Sequence, residues 1–105
     1  MISLKKGALI LNLKPELLLG IMIIKSVFEK YNVDLVLTEV TGAKHSFNSL
    51  HYKGLAADIR SKTIKREIKH TILFACLDAL GENFDMILEN ENEDNEHFHL
   101  EFDTK

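Results

Sequence analysis

One cysteine and one proline stand in 105 residues, and no apolar run is long. A lone cysteine excludes an intrachain disulfide, so packing or a bound metal must supply any added stability. Cys76 sits with Phe74, Ala75 and Leu77 in a helical pattern and reads as a buried core thiol. With 46% hydrophobic and 28% charged residues, the composition is that of a globular chain rather than a disordered one. The apolar run over 17–24 is far shorter than the ~20 residues a membrane span needs. Lys5 and Lys6 precede a short apolar stretch, but Asn12, Lys14, Pro15 and Glu16 interrupt it and no small-residue cleavage site follows. The expectation is a cytoplasmic protein with no export signal and no membrane span. A basic stripe is missing too, which argues against nucleic acid as a partner. Net charge is −3, yet 89–96 holds five acids and no base, leaving +2 for the remainder. That run reads as a solvated loop; a calcium loop would need an Asp-x-Asp-x-Asp-Gly order that is not there.

What is present suits one domain, residues 1–105, with a modest core. Pro15 can open a helix, and Leu17, Leu18, Ile21, Ile24, Phe28 and Tyr31 recur at three-and-four spacing up to a stop at Asn32. Met22, Ile23 and Val27 widen its apolar face, so burial on more than one side is expected. Residues 33–40 are rich in β-branched types and read as a strand, 41–50 as a loop, and 56–60 as a second strand. Ser61 or Thr63 can cap a second helix running through Ile64, Ile68, Ile72, Ala75 and Ala79 to Gly81. Strands over 84–89 and 97–102 follow. The order implies an α+β domain with a mainly antiparallel sheet packed by two helices.

Chemistry concentrates in two segments, Ser49-Leu-His51-Tyr-Lys-Gly54-Leu-Ala56-Ala-Asp58 and Glu96-His97-Phe98-His99, which hold three of the five histidines. Together they offer imidazoles and a carboxylate to hold a metal, with a spare carboxylate to activate water, the minimum kit of a zinc hydrolase. His51 and Asp58 are seven residues apart. A turn at Gly54 would bring them to one point, and Ala56 leaves room beside a metal. Alternation on the last strand sets His97, His99 and Glu101 on one face and Phe98, Leu100 and Phe102 on the other.

The pattern Ser-x-His-x-x-Gly-x-Ala-x-Asp, with Glu-x-x-His about forty residues later, resembles the zinc D,D-carboxypeptidase / L-alanyl-D-glutamate peptidase family. That family includes bacterial D-Ala-D-Ala dipeptidases and phage endolysins, and the Hedgehog signalling domain shares its fold. Ser49, His51, Gly54, Ala56 and Asp58 fill every fixed position of the first motif. The resemblance implies Zn2+ held by His51, Asp58 and His99, with Glu96 as general base. His97 is then an outer or transition-state group, or replaces His99 as ligand. The Hedgehog spacing would move the acid to Glu93, and Glu89 is a further candidate. Ser49 either binds a substrate carboxylate or holds the His51 loop. The family's upstream arginine has no counterpart in Thr41-Gly-Ala-Lys44-His45, so Lys44 is the nearest cation for substrate binding. His45 has no assigned role, and Arg60 is expected to pair beside Asp58 or with the acidic loop. The implied activity is a monomeric zinc metallopeptidase, a carboxypeptidase or endopeptidase of D,D- or L,D-type, acting on peptidoglycan stem peptides or short peptides containing D-amino acids. Such an enzyme is either an endolysin released to the cell wall by a separate factor or a cytoplasmic dipeptidase. The alternative is a zinc-stabilised binding or structural module on the same fold.

Overall fold

Pro15 starts the first long element because the first helical N–H has no intrahelical acceptor to lose. Helix α1 (Pro15–Lys30) buries Leu17, Ile21, Ile24, Val27 and Phe28, and Asn32, at φ +58°, turns the chain out of it. The computed structural model describes residues 2–4, 14–39 and 55–103. Lys44, His45, Ser49, His51 and Gly54, together with the expected loop over 41–50, lie outside the described residues.

Strands β1 (Ile2–Leu4), β2 (Leu35–Glu39), β3 (Ala56–Arg60), β4 (Phe84–Glu89) and β5 (His97–Phe102) join in one sheet of order β1-β2-β3-β5-β4. β1 runs parallel to β2 and every other neighbour is antiparallel, so the α+β domain has a mixed five-stranded sheet with two helices. Strand β1 falls in a stretch too short for alternation to reveal, and its parallel pairing makes the mainly antiparallel sheet a mixed one. The second helix, α2 (Arg66–Leu80), ends at Gly81, whose φ of +84° suits a residue without Cβ. Its start differs from expectation. Lys65 occupies the N-cap with no side-chain cap, and the Ser61 hydroxyl donates to Glu96 instead.

Both helices cover one face of the sheet. Leu17, Ile21, Ile24 and Phe28 of α1 and Ile72 and Cys76 of α2 form one core with Ala57, Ile59, Met86, Phe98 and Leu100. The Phe28 and Phe98 rings meet edge to face at 6.1 Å. Burial pushes the Cys76 thiol up to about 12, in keeping with a core residue. Gly20 lets α1 settle against β4, since a Cβ there would come within 2.5 Å of Cε1 of Phe84. Helix α1 is buried on one side only: Leu18, Leu19 and Met22 are exposed, a correction to the broader apolar face expected. No helix among the described residues is long and apolar enough to cross a membrane. The opposite face of the sheet, away from the helices, carries the polar side chains of β3, β4 and β5.

Candidate metal centre

Alternation and register assemble the centre. Since successive strand residues face opposite sides, Asp58 and Arg60 of β3 share a face while Ala57 and Ile59 go to the core. Register then sets Asp58 opposite His99 and Arg60 opposite His97 across β3 and β5. On the other flank β4 brings Glu89 opposite His97 and Ile87 opposite His99. Four side chains from three strands converge: donor atoms of Asp58, Glu89, His97 and His99 all lie within 4.8 Å of one another.

The short distances run around the group. Nδ1 of His99 is 3.0 Å from Oδ1 of Asp58, and Nε2 of His97 is 3.0 Å from Oε1 of Glu89. Nε2 of His97 is 3.6 Å from Oδ1 of Asp58, and Nδ1 of His99 is 3.7 Å from Oε1 of Glu89. Tetrahedral ligands at zinc-type bond lengths are separated by about 3.3 Å. Two imidazole nitrogens and two carboxylate oxygens at such spacings could hold a metal ion of borderline softness. Each imidazole is also steadied from behind. Nε2 of His99 meets Oε1 of Glu101 at 3.0 Å. Nδ1 of His97 lies 2.8 Å from the Asn95 carbonyl; that oxygen only accepts, so Nδ1 carries the proton. With Nδ1 so anchored, Nε2 faces the cluster and could ligate a metal there, the orienting role played by carbonyls and carboxylates behind metal-binding histidines. Without a metal, the hydrogen bond that His99 donates to Asp58 holds the His99 pKa above its ordinary 6.5, against burial, with further help from the charges of Asp58 and Glu89 and from Glu101.

Of the residues expected at the site, Asp58, His97 and His99 come together here. Ser49, Lys44 and His51 fall outside the described residues. Glu96, the expected base, lines the same cleft as Asp58 and His97 but is not one of the four clustered donors. It precedes β5 and continues the parity of Phe98 and Leu100, so its carboxylate lies towards α2, buried and outside the four-residue cluster. Ser61 Oγ donates to its Oε1 at 2.6 Å, Lys69 Nζ donates to the same oxygen, and the Asn92 N–H donates to Oε2 at 2.8 Å. Burial alone would raise the pKa of Glu96. The bonds from Asn92, Lys69 and Ser61 outweigh it and hold the carboxylate at about 2, below its ordinary 4.5. A carboxylate so engaged is a poor proton acceptor. Glu93 is exposed in the loop. Glu89 is the acid at the cluster, and its side chain, 41% exposed against 15% for Asp58, is the one most open to solvent. Parity alone distinguishes Glu96 from its neighbours in the sequence, whereas Glu89 joins His97 only through the β4–β5 register.

A cleft of about 530 Å³ opens beside the cluster, its lining including Asp58, His97, Glu39, Arg60, Lys62 and Glu96. Lys62 Nζ, on the lining, donates to the Asp94 carbonyl at 2.7 Å. A further group on the face, Asp85, Glu101 and Asp103, offers carboxylates alone. No family model, no curated protein and no solved structure matches this chain.

Proposed function

We propose that the protein is a zinc metallopeptidase of the D,D-/L,D-peptidase type, acting on short peptides such as peptidoglycan stem peptides. The observation that carries this reading is the meeting of Asp58 and His99, two residues that the family resemblance implies as ligands, at 3.0 Å on one face. In the proposed arrangement His51, from the Ser-x-His motif, is the third ligand. Bound zinc would polarise the scissile carbonyl and make water at the site far more acidic than bulk water. Glu89, rather than Glu96, takes the proton of the attacking water and delivers it to the leaving amine. His97 keeps the Glu89 carboxylate aimed at the cluster, and Glu101 fixes the ring of His99.

A second reading is favoured by the four-membered cluster. If Asp58, Glu89, His97 and His99 all ligate, the site is closed, with no position for water, as in structural zinc sites. The protein is then a metal-stabilised binding module. Zinc stoichiometry of variants separates the two. In the peptidase reading His51→Ala loses zinc while His97→Ala and Glu89→Gln keep it. In the module reading His51→Ala keeps zinc and the other two weaken it. Digestion of purified wall peptides with and without a chelator, followed by mass spectrometry, completes the test. A zinc-loaded wild type that cleaves none of them sinks the peptidase reading.

A further inference from the structure

We propose that the outward face of α1 is a dimer interface, on which a second copy of this chain lays its own α1 antiparallel, crossing at Met22. Six large apolar side chains are exposed among the described residues. Three of them, Leu18, Leu19 and Met22, fall within one short stretch of α1, at 46%, 59% and 49% exposure. Pro15 and Ser26, also exposed, continue the strip at three-and-four spacing. The core makes no use of this side of the helix, because Leu17, Ile21, Ile24 and Phe28 already fill the side towards the sheet. Apolar groups gathered in one exposed place mark a contact surface, whereas scattered ones need no explanation.

Charge along the margins of the strip identifies the occupant. Glu16 and Lys30 stand two heptads apart and share one margin, while Lys14 and Glu29 lie along the other. Each margin thus carries an acid at one end and a base at the opposite end. A twofold axis at Met22 brings the first turn of one helix beside the last turn of the other, and each margin then meets its own copy. Glu16 reaches Lys30 of the second copy, Lys14 reaches Glu29, and the apolar groups close around the axis. A parallel pair would instead set Glu16 on Glu16 and Lys30 on Lys30. Glu16 and Lys30 have no ion-pair partner among the described residues, and Lys25 holds Glu29 only through an exposed pair at 2.9 Å. The metal cluster is on the other face of the sheet, so both copies keep it open and the inference does not rest on the peptidase reading. One helix crossing its twin covers less than the roughly 800 Å² per partner of a standard interface, so the dimer should be reversible and weak.

Sedimentation equilibrium of the full chain at low salt, carried up to about 1 mM to reach weak association, tests the proposal. Wild type should pass from monomer to dimer with rising concentration and go no further, since a twofold contact closes on itself. Met22→Lys puts two like charges at the axis and should abolish the dimer, with circular dichroism confirming that the exposed substitution leaves the fold intact. Glu16→Lys and Lys30→Glu should each weaken association by roughly 3–10-fold, the scale of two exposed ion pairs turned repulsive. The double variant Glu16→Lys/Lys30→Glu should recover wild-type association, because the pairs re-form with their signs exchanged. A chain that stays monomeric throughout overturns the proposal. So does a dimer that ignores Met22→Lys, or one in which the double reversal fails to rescue the singles. Sedimentation with phosphatidylcholine/phosphatidylglycerol vesicles covers the remaining occupant: a monomer carried down by them, and released by Met22→Lys, would assign the face to lipid and overturn the dimer.

Discussion

Glu89 and Glu96 are the same amino acid seven positions apart in one short stretch of chain, and their surroundings give them opposite characters. Glu96 is buried and accepts hydrogen bonds from Ser61, Lys69 and the Asn92 backbone, so it keeps its charge down to about pH 2. Glu89 is open to solvent and reaches the cluster through His97. The two should therefore fail differently. Glu89→Gln is expected to keep zinc and the fold while losing hydrolysis of a wall peptide by at least ~100-fold, the lower end for general acid–base catalysis. Glu96→Gln should keep most of its turnover per folded molecule but unfold earlier, by about 1–3 kcal/mol, because a charge-assisted network becomes a neutral one. Turnover numbers corrected for folded fraction, alongside urea melts, tell the cases apart. An inactive but fully stable Glu96→Gln would return the base role to Glu96.

At the scale of elements, the Lys69–Glu96 pair ties α2 to the loop before β5, and Gly20 fits α1 against β4. A buried ion pair adds little over an apolar substitute, but removing one partner strands the other's charge. Lys69→Met should thus cost about 3–5 kcal/mol at pH 7. The pH dependence follows from the sign of the shift. The wild-type Glu96 pKa is depressed, so its contribution is complete above about 4.5 and fades as pH falls towards about 2. Without Lys69 the buried carboxylate protonates more readily, and the deficit of Lys69→Met should shrink between pH 7 and pH 4. Unfolding free energies across that range decide it; a constant deficit would mean that Lys69 acts through packing of its stem. Gly20→Ala sets two effects against each other. Alanine gains roughly 1 kcal/mol of helix propensity, but its Cβ meets the Phe84 ring, itself packed edge to face on Phe102 at 5.2 Å. Overpacking typically costs ~1–3 kcal/mol, so a lower melting temperature is expected, and a rise would show that the ring moves aside freely.

For the molecule as a whole, long elements with strong periodicity were legible in the chain and their mutual register was not. The starts and ends of β3, β4 and β5 follow from alternation, and that of α1 from Pro15 and three-and-four spacing. Strand β1 is three residues long, too few for a period to show. Asp58 and His99 were readable as partners only through the family resemblance that their two motifs carry. Glu89 entered the centre through cross-strand pairing, which no local pattern specifies, and Glu96 left it through a parity that was open to reading beside Phe98. The result is a sheet with one face spent on a core and the other carrying charged groups that must be satisfied by one another or by an ion. Binding of an ion to the folded state alone must raise its stability. At a free zinc concentration 100 times the dissociation constant the gain is about 2.7 kcal/mol. For a domain of this size each kcal/mol moves the midpoint by roughly 4–8 °C, so zinc should raise the melting temperature by about 10–20 °C and a chelator should reverse it. Asp58→Ala and His99→Ala should melt at one temperature with or without zinc, since both readings of the centre require these two ligands. A wild type whose midpoint ignores zinc would leave the four side chains as a hydrogen-bonded polar network and remove the basis for metal-assisted hydrolysis.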